Sequence, residues 1–110
     1  MIEQPQKEET LFILKELEAS PNTTQRDLSS SLSISLGKTN YLLRELILKG
    51  FIKVKNFTGN SGKLRKIHYL LTEKGLEEKF RLLAHFLQIK EVEYNQLKQE
   101  MDYSLKEKAG

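Results

Sequence analysis

TQRDLSSSLSISLGKTNYLLRELILKG, residues 24–50, carries the period of two helices separated by a tight turn. A helix begun at Thr24 places Leu28 and Leu32 on one face, with Gln25, Arg26 and the serines elsewhere. Thr24 suits an N-cap, and Asp27 falls in the first turn, where a negative charge meets the positive end of the helix. Ser33-Ile34-Ser35 forms the break, Ser35 caps a second helix over residues 36–49, and Gly50 is its stop signal. In that helix Thr39, Leu42, Leu43, Leu46 and Ile47 make a buried stripe. Gly37, Asn40, Tyr41, Arg44 and Leu48 lie opposite. An amide, a phenol and a guanidinium on one helix face are groups that hydrogen-bond base edges and phosphates. Gly37 leaves room for a phosphate or groove wall near the helix N-terminus. The competing reading of this stretch alone is an αα-hairpin in a small helical domain.

Charge favours the nucleic-acid reading. The net charge of the 110 residues is only +3, but its distribution is uneven: net −3 over residues 1–34, +7 over residues 35–70 and −1 over residues 71–110. A one-signed segment on and after the second helix is the electrostatic footprint of a polyanionic partner. The length allows one domain with a modest core. No apolar run approaches the roughly 18 residues of a membrane span, and the polar, acidic MIEQPQKEET does not read as a signal peptide. The absence of cysteine rules out disulfides and thiolate metal sites and is compatible with the cytoplasm, the expected location.

Upstream, Leu11, Ile13, Leu14 and Leu17 give a helical face over residues 7–19, with Phe12 beside it, and Ser20-Pro21-Asn22 stops the helix. Residues 1–6 read as loosely held. Downstream the period becomes two: residues 51–57 and 66–71 alternate as strands around the turn-rich Thr58-Gly59-Asn60-Ser61-Gly62. Lys63, Arg65 and Lys66 follow that turn and suit phosphate or minor-groove contact. Thr72 suits the N-cap of a last helix, in which Phe80, Leu83, Leu87, Tyr94, Leu97 and Met101 keep a 3-4 alternation, with Lys90 at one seam position. Leu82, Phe86 and Ile89 widen the apolar face. So short a chain cannot cover both stripes, so this helix is expected to self-associate; the alternative is that it folds back on its own domain. Residues 104–110 read as frayed.

No catalytic constellation stands out. His68 and His85 lie on different elements with no paired carboxylate near them in sequence, so no metal site and no cofactor is expected. Gly59-Asn60-Ser61-Gly62-Lys63 lacks the spacing of a phosphate loop and leads into a strand. Ser29–Ser31 has no nucleophile elbow around it.

The order helix, helix-turn-helix, two-stranded hairpin, long helix resembles a winged helix-turn-helix, a mainly α fold with a small β-hairpin wing and here a long C-terminal dimerisation helix. The run from Ile34-Ser35 through Leu46, Lys49, Gly50, Phe51 and Ile52, followed by Leu71-Thr72-Glu73-Lys74-Gly75, resembles the MarR family of bacterial transcription regulators. ISLGKTNYLLRELILKGFIKVKNF, with YLLTEKGLEEKFRL and EYNQLK, is similar to small MarR-type regulators associated with exopolysaccharide gene clusters. The resemblance implies a homodimeric DNA-binding regulator. In it, Leu36, Gly37, Lys38, Asn40, Tyr41 and Arg44 would face the major groove and Arg65 would hold the wing's minor-groove position. Two departures are visible: Lys63 stands where the family's wing carries an acidic residue, and residues 1–6 leave no room for the family's extra N-terminal dimerisation helix. The resemblance therefore implies pairing through the last helix alone, with little space for an effector pocket.

The sequence thus divides into a DNA-binding domain over residues 7–72 and a dimerisation helix over residues 73–103. Asn40, Tyr41 and Arg44 are expected on bases. Thr24, Gln25 and Lys38 are expected on phosphates, and Lys63, Arg65 and Lys66 from the wing. The expected partners are a palindromic duplex and a second copy of the chain, with no membrane. A protein-binding adaptor is the rival reading, because fold does not fix function.

Overall fold

The structure is a computed structural model that describes residues 4–58 and 65–109; for Gln4, Pro5, residues 56–58, Arg65 and Lys66 it describes the backbone only. Four helices and one hairpin follow in the order α1 (Gln4–Ala19), α2 (Gln25–Leu32), α3 (Leu36–Leu48), β1 (Ile52–Thr58), β2 (Arg65–Leu71) and α4 (Glu73–Ala109). The chain divides into two compact units, residues 1–80 and residues 81–110.

The first unit holds the core. Ile13, Leu14 and Leu17 of α1, Leu28 of α2, Leu42, Leu43 and Leu46 of α3, and Ile52 and Tyr69 of the hairpin are buried. Within it α1 lies against α2 and β2, and α3 lies against α2 and β1. The helical periods of the sequence therefore converge on one apolar centre. Thr39 is the single polar side chain buried among the described residues. Its Oγ1 donates to the Ser35 carbonyl at 2.9 Å, which satisfies the hydroxyl inside the helix.

Local chemistry sets the helix ends. Thr24 caps α2 through a capping box: its Oγ1 accepts from the Asp27 N–H and its own N–H donates to Asp27 Oδ2, both at 3.1 Å. Ser33, at φ 56°, ends α2 in the left-handed region. The Ile34 and Ser33 N–H groups return to the Ser29 and Ser30 carbonyls in a Schellman pattern. Ser35 caps α3 by accepting from the Lys38 N–H at 3.0 Å. α3 ends in the same pattern, with Gly50 at φ 81° and the Phe51 and Gly50 N–H groups on the Leu46 and Ile47 carbonyls.

β1 and β2 pair antiparallel from Ile52↔Leu71 to Thr58↔Arg65. At the base of this hairpin the Thr72 hydroxyl lies 2.7 Å from the Gly50 carbonyl and 3.0 Å from that of Phe51, and its oxygen accepts from the Gly75 N–H at 3.0 Å. The Thr72 N–H also donates to the Phe51 carbonyl at 3.1 Å. A Cβ at Gly75 would stand 2.0 Å from the Phe51 carbonyl oxygen, so the first turn of α4 closes on Phe51 with no room for any side chain. Lys79 of that segment pairs with Glu18 of α1.

The second unit is the remainder of α4. Leu82 is buried and Phe86 and Ile89 are half-buried, whereas Leu87, Tyr94, Leu97 and Met101 are 61–70% exposed and Leu83 37%. Among the described residues no helix is long and apolar enough to cross a membrane.

Several boundaries differ from the sequence reading. α1 starts at Gln4, not Lys7, because Pro5 sits in the first turn, where a helix has no N–H to lose. α4 continues through Ser104 to Ala109, with Lys106 and Lys108 in the last turn where positive charge opposes the helix dipole, so residues 104–109 are helical and not frayed. β1 begins and ends one residue later than expected, β2 begins one residue earlier, and α3 stops at Leu48, with Lys49 as its C-cap.

Candidate nucleic-acid interface

The candidate surface is built on α3. With Thr39, Leu42, Leu43 and Leu46 fixed in the core, the helical period leaves Gly37, Asn40, Tyr41, Arg44 and Leu48 in solvent. Tyr41 is 54% exposed and Leu48 81%. Among the described residues no hydrogen bond or ion pair engages the side chains of Asn40, Tyr41 or Arg44. Their donors and acceptors are available to an external partner. A Cβ at Gly37 would meet only Ser35 Oγ, at 3.9 Å, so the fold itself does not require glycine there.

The other expected residues lie at the helix starts and in the hairpin. Thr24, Gln25, Leu36 and Lys38 gather where α2 and α3 begin. Gln25 Nε2 donates to the Leu36 carbonyl at 3.2 Å and so ties the two helix starts together. Thr24 Oγ1 is occupied as a cap acceptor but keeps its own hydrogen to donate. Lys38 is half exposed, and its Nζ lies 3.2 Å from Glu9 Oε2. That tertiary ion pair has no signal in the sequence, since 29 positions separate the partners.

In the hairpin, Arg65 and Lys66 register with Thr58 and Phe57. Lys63 lies outside the described residues. Lys53 and Lys55, absent from the expected contacts, are exposed on alternate positions of β1, on the strand face opposite Ile52. The alternation that defined the strand could have assigned them, because Ile52 and Tyr69 mark the buried face. Among the described residues no carboxylate pairs with Lys53 or Lys55.

This is the architecture of a winged helix-turn-helix with a long C-terminal helix. Residues 9–53, from α1 to the start of β1, match the family model described as winged helix-turn-helix DNA-binding. No curated protein sequence matches the chain. Solved structures share the fold. MepR, a transcription regulator of the Staphylococcus aureus multidrug efflux pump MepA, is 22% identical over 89% of this chain and 70% of its own, with a TM-score of 0.63. A PadR family transcriptional regulator from Eggerthella lenta is 20% identical over 86% of each chain, with a TM-score of 0.70. Staphylococcus aureus MarR, solved with salicylate and kanamycin, is 20% identical over 79% of this chain, with a TM-score of 0.62, and the chain spans 56% of its length.

Proposed function

We propose that this chain is a MarR-like, sequence-specific, double-stranded DNA-binding regulator of transcription, working in the cytoplasm as a homodimer. The observation that carries the reading is the α3 face, where Asn40, Tyr41 and Arg44 stand in solvent with their hydrogen-bonding groups uncommitted while the opposite face is locked in the core. Such a helix can enter a major groove without disturbing the fold. Asn40 and Arg44 offer bidentate pairs to adenine and guanine respectively, and Tyr41 offers a phenol and a ring. Thr24, Gln25 and the start of α3 take phosphates. Lys53, Lys55, Arg65 and Lys66 add sequence-independent attraction from the wing.

Dimerisation is assigned to α4, where Phe80, Leu83, Leu87, Tyr94, Leu97 and Met101 form an exposed apolar seam at heptad spacing. A monomer seldom leaves so long an apolar stripe in water. Two copies predict a palindromic site with half-sites about one helical turn, or a multiple of it, apart. Control of exopolysaccharide genes is proposed from sequence resemblance alone.

Selection of bound duplexes from a random pool tests this. A recovered palindrome is expected. Retention without any motif would refute sequence-specific reading. No retention by folded protein would transfer the function to the exposed α4 seam, the feature that favours a protein-binding adaptor.

A further inference from the structure

We propose that Glu9 competes with DNA phosphate for Lys38 and so lowers the sequence-independent part of DNA binding; the inference rests on the DNA-binding reading above. Glu9 lies on α1 and is not among the expected contacts, yet its carboxylate reaches Lys38 in the first turn of α3. Oε2 is 3.2 Å from the Lys38 Nζ, and the Glu9 side chain is 16% exposed against 50% for Lys38. Its second oxygen, Oε1, is buried with no hydrogen-bond partner. With one oxygen buried and unpartnered, the carboxylate leans on its one cation to offset the cost of its partial burial.

The consequence follows from charge. A phosphate that takes Lys38 must leave Glu9 buried with neither its lysine nor full hydration. If Lys38 stays with Glu9, it neutralises no phosphate and displaces no counterion from the DNA. Either way Lys38 contributes less than an unpaired surface lysine such as Lys55. Nonspecific affinity rests on such contacts, whereas base reading by Asn40, Tyr41 and Arg44 does not. Glu9 therefore acts as a specificity-setting residue through Lys38, without itself supplying a contact to DNA.

The test is binding of a random-sequence duplex, by fluorescence anisotropy over a salt series, for wild type, Glu9→Gln, Lys38→Ala, the double variant and Lys55→Ala, each first checked for a cooperative melt. Glu9→Gln should tighten binding about two- to fivefold, the size of one partly exposed ion pair, and steepen the log K against log salt slope by roughly 0.9, one extra phosphate. Lys38→Ala should cost more in the Glu9→Gln background than in wild type, and in wild type it should flatten the slope less than Lys55→Ala does. An unchanged slope in Glu9→Gln, or equal slope losses from Lys38→Ala and Lys55→Ala in wild type, would overturn the inference. The second comparison stands even if Glu9→Gln fails to fold. No binding by folded wild type at low salt would remove the DNA reading itself, and this inference with it.

Discussion

Gly75→Ala sets two effects of opposite sign against each other. Gly75 lies in the first turn of α4, and on helix propensity alone alanine would stabilise the protein by up to about 1 kcal/mol. The structure demands the reverse. An added Cβ would sit 2.0 Å from the Phe51 carbonyl oxygen, 2.9 Å from its carbon and 2.7 Å from Leu71 Cδ1. A carbon and a carbonyl oxygen approach comfortably only to about 3.3 Å, so the backbone must part by more than an ångström. Overpacking of this kind costs about 1–3 kcal/mol, occasionally more. The displaced carbonyl also accepts from the Thr72 N–H and lies within reach of the Thr72 hydroxyl, bonds worth about 1 kcal/mol each. After the propensity gain is subtracted, the expected net loss is about 2–4 kcal/mol, or roughly 10–30 °C in Tm for a domain of this size. The assay is urea unfolding at fixed protein concentration, because association would otherwise shift the apparent stability. Gly37→Ala is the internal control: with only Ser35 Oγ nearby at 3.9 Å it should stabilise the fold by about 0.5–1 kcal/mol. A Gly75→Ala protein as stable as wild type would refute the close approach of α4 to Phe51.

Other expectations concern the interface, the seam and the core. Arg44→Ala should relax preference at one base pair by about 1–3 kcal/mol in competition binding, while Lys55→Ala should weaken all duplexes alike; sequence-blind losses from both would remove the base-reading role of Arg44. Leu97→Glu should shift sedimentation toward monomer without lowering helix content, because Leu97 is 66% exposed within one chain. Ser33→Gly should raise stability by about 1 kcal/mol in the same urea assay, by relieving a left-handed residue at φ 56°. Burial raises the Tyr69 pKa above its ordinary 10.0. From about pH 10 upward the unfolded phenol therefore ionises before the folded one and stability falls, a decline that urea melts of Tyr69→Phe should show reduced.

What could be read from the sequence was what local chemistry determines. Thr24, Ser35 and Gly50 announce helix ends through their own side chains or lack of one, and the periods of 3.6 and 2 placed every element. The same period set Asn40, Tyr41 and Arg44 on the exposed face of α3. What escaped was set by the rest of the fold. Ser33 fills a position that glycine usually takes, so nothing in its identity marks the left-handed cap. Gly75 looked like part of a motif, but the reason for it is a carbonyl 24 residues earlier. The partnership of Glu9 with Lys38 joins two helices 29 positions apart and arises only in the folded chain. Lys53 and Lys55 are legible for a different reason: the plain alternation of β1 puts them on the exposed face, opposite Ile52.

The hydrogen bonds around Thr72 bear on how such a protein can change over time. They fasten the two ends of the hairpin, Phe51 and Thr72, to each other and to the first turn of α4. The hairpin is thus a loop whose closure is guaranteed at its base, and altering it farther out costs little elsewhere, since closure entropy grows only slowly with length. Wings of different length or charge can be grafted between these two residues while α3 keeps its seat, so the charge the hairpin presents can change without altering the exposed face of α3.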